Sequence, residues 1–164
     1  MHKRQLKQYS DVVTLTESEL EMGFAIGKMR RIESLKKGLQ NAHGFDARPS
    51  MIDIDVYGAL AEIAYCKYRN TYWSGPVNNY KDPDAGDSVQ VRHSQLNNAS
   101  LILRENDRED YYYVLVTGEM PTFKICGWIQ GADGKRDNFL RAPNNRPPAW
   151  FVPQSSLKPF NKKG

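Results

Sequence analysis

Apolar residues recur at helical spacing in the first half of the chain. A capping box, with Thr16 as the N-cap and Glu19 at the third helical position, predicts the start of a first helix. From Phe24 to about Leu39 the apolar spacing predicts a long helix. Gly23 and Gly27 weaken its helical propensity, but two small residues four positions apart also allow another element to approach closely.

A second helix is predicted from about Asp55 to Asn70. Its apolar positions form one stripe, which consists of Val56, Ala59, Leu60, Ile63 and Ala64. Glu62 shares an edge of the helix with Tyr65 and Cys66 rather than the centre of that stripe, so we expect its carboxylate to be partly buried.

The pattern then changes to short β-branched and aromatic runs, which predict strands. These runs are Ser88–His93, Ser100–Arg104, Tyr111–Gly118, Thr122–Ile129 and a last strand at Trp150–Val152. Their short connections suggest antiparallel hairpins. The predicted fold class is therefore α+β, with two N-terminal helices packed on a mostly antiparallel mixed β-sheet. Residues 1–164 are expected to form a single domain, with 1–10 and 158–164 loose.

Composition and charge narrow the function only slightly. Apolar residues make up 40% of the 164 residues, and 23 Lys and Arg against 19 Asp and Glu give a net charge of +4. That excess is compatible with a nucleic-acid partner but is too small to indicate one by itself. Five basic residues in the later half of the first helix are interpreted as a solvated face: Lys28, Arg30, Arg31, Lys36 and Lys37.

The cysteine pattern and the absence of an apolar leader predict a cytoplasmic protein. Cys66 and Cys126 have no CxxC spacing, which favours buried thiols over a zinc site or a disulfide. The basic segment Met1 to Tyr9 lacks the apolar region of a signal peptide.

Carboxylates and a polar strand supply the candidate chemistry. Asp84 and Asp87 precede a strand on which Gln90 and Arg92 share one face, because side chains alternate along a strand. A helix packed on the sheet could bring Glu62 over the same point. Phosphodiester hydrolysis uses a hard divalent cation held by such oxygen ligands, which activates water and neutralises phosphate charge.

Pro83-Asp84 followed by Gln90-x-Arg92, with Glu62 on a preceding helix, resembles the core of the PD-(D/E)XK nuclease superfamily. The resemblance implies a restriction-endonuclease-like fold and a Mg²⁺-dependent nuclease acting on DNA or RNA. Glu62, Asp84, Gln90 and Arg92 would take the catalytic roles, and Asp84, Glu62 and Asp87 would bind the metal. The sequence departs from the motif because Gln90 replaces a carboxylate and Arg92 replaces lysine, which leaves a guanidinium that cannot act as a base.

The chain is also similar to small phage and prophage proteins, and this similarity carries no assigned activity. It lies in the run Gln90-Val91-Arg92 and in the segments Leu101–Asp107, Gly127–Ile129 and Arg146–Gln154.

Three other interpretations remain open. The first is a nucleic-acid binder without catalysis, in which Arg92, Arg104, Lys124 and Arg146 contact phosphates and Trp128 or Trp150 stacks on bases. The second is a phage accessory protein that binds a host protein through the proline-rich, aromatic stretch Arg146–Gln154. The third is purely structural: Glu62 pairs with Arg69, the aspartates form turns, Gln90 and Arg92 are a solvent face, and the tryptophans pack in the core.

Overall fold

A computed structural model describes residues 11–37, 50–75 and 88–160, and these form three α-helices and two β-sheets. The helices are α1 (Glu17–Lys36), α2 (Ser50–Arg69) and the short α3 (Gly131–Gly134). The strands are β1 (Val12–Thr14), β2 (Val89–Ser94), β3 (Leu101–Leu103), β4 (Tyr112–Thr117), β5 (Thr122–Gln130), β6 (Leu140–Arg141) and β7 (Ala149–Val152). The predicted α+β class is confirmed.

Helix α1 begins directly after the predicted capping box. The Glu19 backbone N–H donates to Thr16 Oγ1 at 3.3 Å, and the Thr16 N–H donates to Glu19 Oε1 at 2.8 Å. The helix therefore starts seven residues before the apolar spacing becomes regular at Phe24, because the cap satisfies the first backbone donors.

The glycine pair on α1 is where the two long helices meet. A Cβ on Gly23 would overlap the side chain of Leu60, and a Cβ on Gly27 would overlap the backbone of Val56. The expectation that the two glycines admit a neighbouring element is confirmed, and α2 is that element.

The larger sheet is mixed, with strand order β1-β5-β4-β2. Strands β2 and β4 run parallel, whereas β4–β5 and β1–β5 are antiparallel. The smaller sheet, ordered β3-β7-β6, is antiparallel. Of the predicted consecutive hairpins, β4–β5 is confirmed. The prediction is wrong for β2 and β3, because β3 lies in the crossover that a parallel β2–β4 pair requires and pairs with β7 instead.

The elements stack in layers around two cores. One core lies between α2 and the four-stranded sheet and includes Leu60, Val114, Val116 and Phe123. The other lies between the two sheets and includes Leu101, Leu103, Tyr113 and Leu115. Alternate residues of β4 therefore point into opposite cores, and α1 covers the side of α2 that is turned from the sheet.

The segment after the last strand is held against the domain as far as residue 160. Lys158 and Trp128 exchange two backbone hydrogen bonds of 2.8 and 3.0 Å, and Phe160 packs against the core under α2. The tail predicted to be loose from residue 158 is thus bound over its first three residues, while 1–10 and 161–164 lie outside the described residues.

Within the described ranges, no helix combines the length and apolar character needed to cross a membrane.

Candidate functional site

Glu62 is a buried partner of helix α1. Its side chain is 4% exposed, and Arg30 donates to both carboxylate oxygens, Nη1 to Oε2 at 2.5 Å and Nη2 to Oε1 at 2.8 Å. Trp73 Nε1 donates to Oε1 at 3.2 Å. The suggested pairing with Arg69 is wrong, since Arg30 occupies the carboxylate from the neighbouring helix.

Two of the five basic residues assigned to a solvated face, Arg30 and Arg31, are not solvated, whereas Lys28, Lys36 and Lys37 are exposed. Arg31 is 4% exposed and its Nε donates to Asp55 Oδ2 at 2.7 Å. Arg30 and Arg31 therefore bind α2 through ion pairs, and that part of the solvated-face interpretation is wrong. Burial raises the pKa of Asp55, while the Arg31 charge opposes this change.

Arg92 lies on the face of the four-stranded sheet that is turned away from α2. His93, its neighbour on β2, stacks on Tyr57 of α2 with ring centroids 4.8 Å apart. The Arg92 guanidinium instead lies 5.3 Å from the ring centroid of Tyr113, which belongs to the core between the sheets. Gln90 shares this face by strand alternation. Among the four predicted catalytic residues, Gln90 and Arg92 lie together, and Glu62 lies on the other side of the sheet.

Asp84 and Asp87 lie outside the described residues, so their predicted metal-binding roles stay predictions. Among residues 11–37, 50–75 and 88–160, no group of three or more His, Cys, Asp or Glu side chains could hold a metal ion.

Asp107 fixes Arg92 in place on this face. Arg92 Nη2 donates to Asp107 Oδ1 at 2.6 Å, and the Arg104 backbone N–H donates to Asp107 Oδ2 at 2.8 Å. The Asp107 N–H returns a 3.0 Å bond to the Arg104 carbonyl, which closes the turn after β3. One carboxylate thus joins the end of β3 to the middle of β2.

Two further guanidinium groups lie near this ion pair. The pKa of Arg104 is lowered, first by burial and then by the nearby cation of Arg92; Asp107 opposes the change and Arg146 adds to it. Arg92 and Arg104 are half-buried, and Arg146 is exposed. We call Arg92, Arg104 and Arg146 the arginine cluster.

Tyr113 and Lys135 hold the residues around the cluster in place through hydrogen bonds. The Tyr113 hydroxyl donates to the Arg108 carbonyl at 3.0 Å, and burial is the main reason that its pKa is raised to about 12. Lys135 Nζ donates to the carbonyls of Glu105 and Asp107 at 2.9 and 2.5 Å. The Tyr113 ring beneath Arg92 and the turn after β3 are therefore each held by hydrogen bonds that do not involve an arginine side chain.

Of the other predicted nucleic-acid contacts, Trp150 on β7 pairs in register with Leu103 and its ring centroid lies 5.2 Å from Lys135 Nζ, whereas Lys124 and Trp128 lie away from this cluster. Lys124 on β5 is exposed and pairs in register with Val12 and Thr117, two strands away from β2. Trp128 packs on the side that α2 covers, and its Nε1 donates to the Pro159 carbonyl at 3.3 Å. Arg104 and Arg146 thus join Arg92, whereas Lys124 and Trp128 do not.

Asp107 and Arg30 are the functionally relevant residues that sequence reasoning missed. Asp107 carried a weak signal, because an aspartate three residues after Arg104 in a charged turn is suited to bond the turn's backbone. Arg30 had no such signal in the sequence, because the spacing of basic residues along a helix does not indicate which of them faces a neighbouring helix.

Comparisons with protein-family models, curated proteins and solved structures found no match. The resemblance to the PD-(D/E)XK superfamily therefore stays a prediction.

Proposed function

We propose that this protein binds nucleic acid, and that the arginine cluster contacts the phosphate backbone. The observation that carries the proposal is the grouping of Arg92, which Asp107 holds, with Arg104 and, next to Arg104, Arg146. Guanidinium groups suit this role because their planar donors match two phosphate oxygens at once.

The charge arrangement favours an extended polyanion over a single small anion. Asp107 binds one Nη of Arg92 and the backbone N–H of Arg104, and the guanidinium groups of Arg104 and Arg146 lie close by. Arg146, on the exposed segment before β7, extends the positive surface outward. Binding through several phosphates releases counterions, and its affinity must therefore fall steeply with salt.

The test is binding of a labelled oligonucleotide over a series of salt concentrations, followed by fluorescence anisotropy. Each of Arg92→Gln, Arg104→Gln and Arg146→Gln should weaken binding and lower the slope of log affinity against log salt by about 1. Lys36→Gln is the matched control, because Lys36 is 68% exposed on α1 and lies in a different layer. Equal slopes in all four variants would contradict the proposal.

Cleavage of the bound strand is a second proposed function, and one observation favours it. Gln90 and Arg92 share a face of β2, directly after the segment that contains Asp84 and Asp87. A helix on a mixed sheet with a parallel β2–β4 pair is also compatible with a restriction-endonuclease-like arrangement. The bidentate bond from Arg30 favours a structural role for Glu62 over a role as metal ligand.

The cleavage proposal is tested by titrating Mg²⁺ and Mn²⁺ against plasmid and single-stranded DNA, with Asp84→Ala in parallel. Metal-dependent cutting that disappears in the variant supports it, and binding without cutting favours a protein that binds only. A host protein partner is the weaker alternative, because the middle of Arg146–Gln154 is the central strand β7, where Ala149 and Val152 are buried.

A further inference from the structure

A pocket of about 300 Å³ opens on the opposite face of the sheet from the arginine cluster. It lies at the end where β2 and β4 begin, between the sheet and helix α2. Four aromatic rings line it: Tyr65 of α2, Tyr112 of β4, Trp128 of β5 and Phe160 of the C-terminal segment. We call it the aromatic pocket.

The rings form two groups on different walls. Tyr112 and Trp128 meet on the sheet wall, with centroids 5.5 Å apart and planes inclined by 67°. Tyr65 and Phe160 meet at 5.8 Å on the wall made by α2 and the tail. Each wall therefore contributes aromatic rings to the lining of the pocket.

Cations accompany both walls. The Arg69 guanidinium lines the pocket and lies 5.2 Å from the Phe160 centroid, and Lys158 Nζ lies 5.0 Å from the Trp128 centroid. Lys158 also lies 3.9 Å from Asp133 Oδ2, so Arg69 is the cation that belongs to the pocket itself. The described residues that line the pocket include no carboxylate. Its chemistry is therefore aromatic surface beside positive charge.

We infer that the aromatic pocket takes one unstacked nucleobase, with the attached phosphate at Arg69. A nucleotide combines the two properties that this site complements, because every base offers a flat π-face and its phosphate is an anion. The same chemistry is present in a free nucleotide and in a nucleotide of a single strand. A duplex lacks it, since its bases are paired and stacked.

This inference rests on the proposed function, because only a protein that binds nucleic acid would take the base from a single strand rather than from a free nucleotide. Nucleic acid that binds both the aromatic pocket and the arginine cluster needs at least one unstacked base. Single strands should therefore bind better than duplexes of equal length. The pocket and the cluster lie on opposite faces of the sheet, so substitutions can separate their contributions.

Tyr112→Ala and Arg69→Gln test the pocket. Tyr112 is 39% exposed, so its ring can be removed at the mouth with little loss of core packing, and thermal unfolding checks this. Each variant should weaken binding of a labelled single-stranded oligonucleotide roughly fivefold to a hundredfold, while duplex binding changes much less. Tyr72→Ala is the matched aromatic control, because Tyr72 is 89% exposed and does not line the pocket.

Calorimetric titration with adenosine and uridine monophosphates, and with the corresponding nucleosides, examines the pocket without the cluster. Arg69→Gln should reduce the preference for the monophosphate over the nucleoside, and Tyr112→Ala should weaken both. Single-strand affinity that is unchanged in Tyr112→Ala and Arg69→Gln, but reduced in the cluster variants, overturns this inference and leaves the proposed function standing. If the cluster variants have no effect while monophosphates still bind, the proposed function fails and the pocket remains.

Discussion

Arg30 and Glu62 form a bidentate ion pair between α1 and α2, with both carboxylate oxygens bound and side-chain exposures of 14% and 4%. The pair brings two opposite charges together at the helix interface. It joins residues 32 positions apart and holds α1 against α2 together with the close contacts at Gly23 and Gly27.

Glu62→Gln should therefore lower the free energy of unfolding by about 3–5 kcal/mol, since it removes the buried carboxylate that binds both Nη groups of Arg30. Chemical denaturation followed by circular dichroism measures this change. Glu33→Gln is the control, because its ion pair with Lys36 is exposed and its loss should cost less than about 1 kcal/mol. A small change in stability accompanied by complete loss of metal-dependent cleavage would instead assign Glu62 to a metal site.

Gly27→Ala should destabilise the protein by roughly 1–3 kcal/mol, because the added methyl group overlaps the backbone of Val56 and must push the two helices apart. Gly58→Ala is the opposite case on α2. A Cβ there meets nothing within 4 Å, so the better helix propensity of alanine should stabilise the protein by about 1 kcal/mol. Thermal unfolding of the two variants should shift in opposite directions, and a shared direction would show that the interface tolerates the methyl group.

Arg92→Lys separates the charge of the arginine cluster from its geometry. The lysine keeps the positive charge, so the salt dependence of nucleic-acid binding should change little. It cannot stack on Tyr113 or form the planar fork, so the affinity at fixed salt should fall severalfold. Anisotropy titrations of wild type, Arg92→Lys and Arg92→Gln give both quantities. An affinity in Arg92→Lys equal to that of wild type would show that point charge alone suffices.

His93 should make stability depend on pH. Burial lowers the pKa of its imidazole, and the Gly118 carbonyl at 2.8 Å opposes this change only in part. The unfolded chain therefore binds the proton first, near pH 6.5, and stability falls as the pH drops from there through the lower folded pKa. His93→Phe keeps an aromatic ring against Tyr57, so the difference in unfolding free energy between wild type and variant should vary with pH in this window. A constant difference would contradict the assignment.

Sequence reasoning was successful where a feature depends on near neighbours. The capping box at Thr16, the glycine pair and the strand-forming runs of β4 and β5 all depend on local spacing, and the structure contains each of them. The partition of strands between two sheets was not predictable in this way. Strand β3 has the same apolar character as its neighbours, and its pairing with β7 depends on a segment about 50 residues away.

Side-chain partners were the hardest features to predict. Arg92, Arg104 and Arg146 were named as phosphate contacts from their type alone, yet what joins Arg92 to Arg104 is Asp107, 15 residues after Arg92. For Glu62, the sequence indicated partial burial but not the direction of its carboxylate. Helix periodicity specifies a face, whereas the identity of the neighbour across that face depends on packing between distant segments.

The pairing of β1 with β5 has a consequence for the order in which the chain can fold. Thr14 and Thr122 meet across this pair, although they are 108 positions apart. During synthesis both long helices leave the ribosome well before β5, with which β1 pairs. Their apolar faces therefore stay exposed until most of the chain has been made. Such distant contacts slow folding and prolong the time during which partly folded chains expose apolar surface and can aggregate. Shortened chains that end before β5 are therefore expected to aggregate rather than to fold.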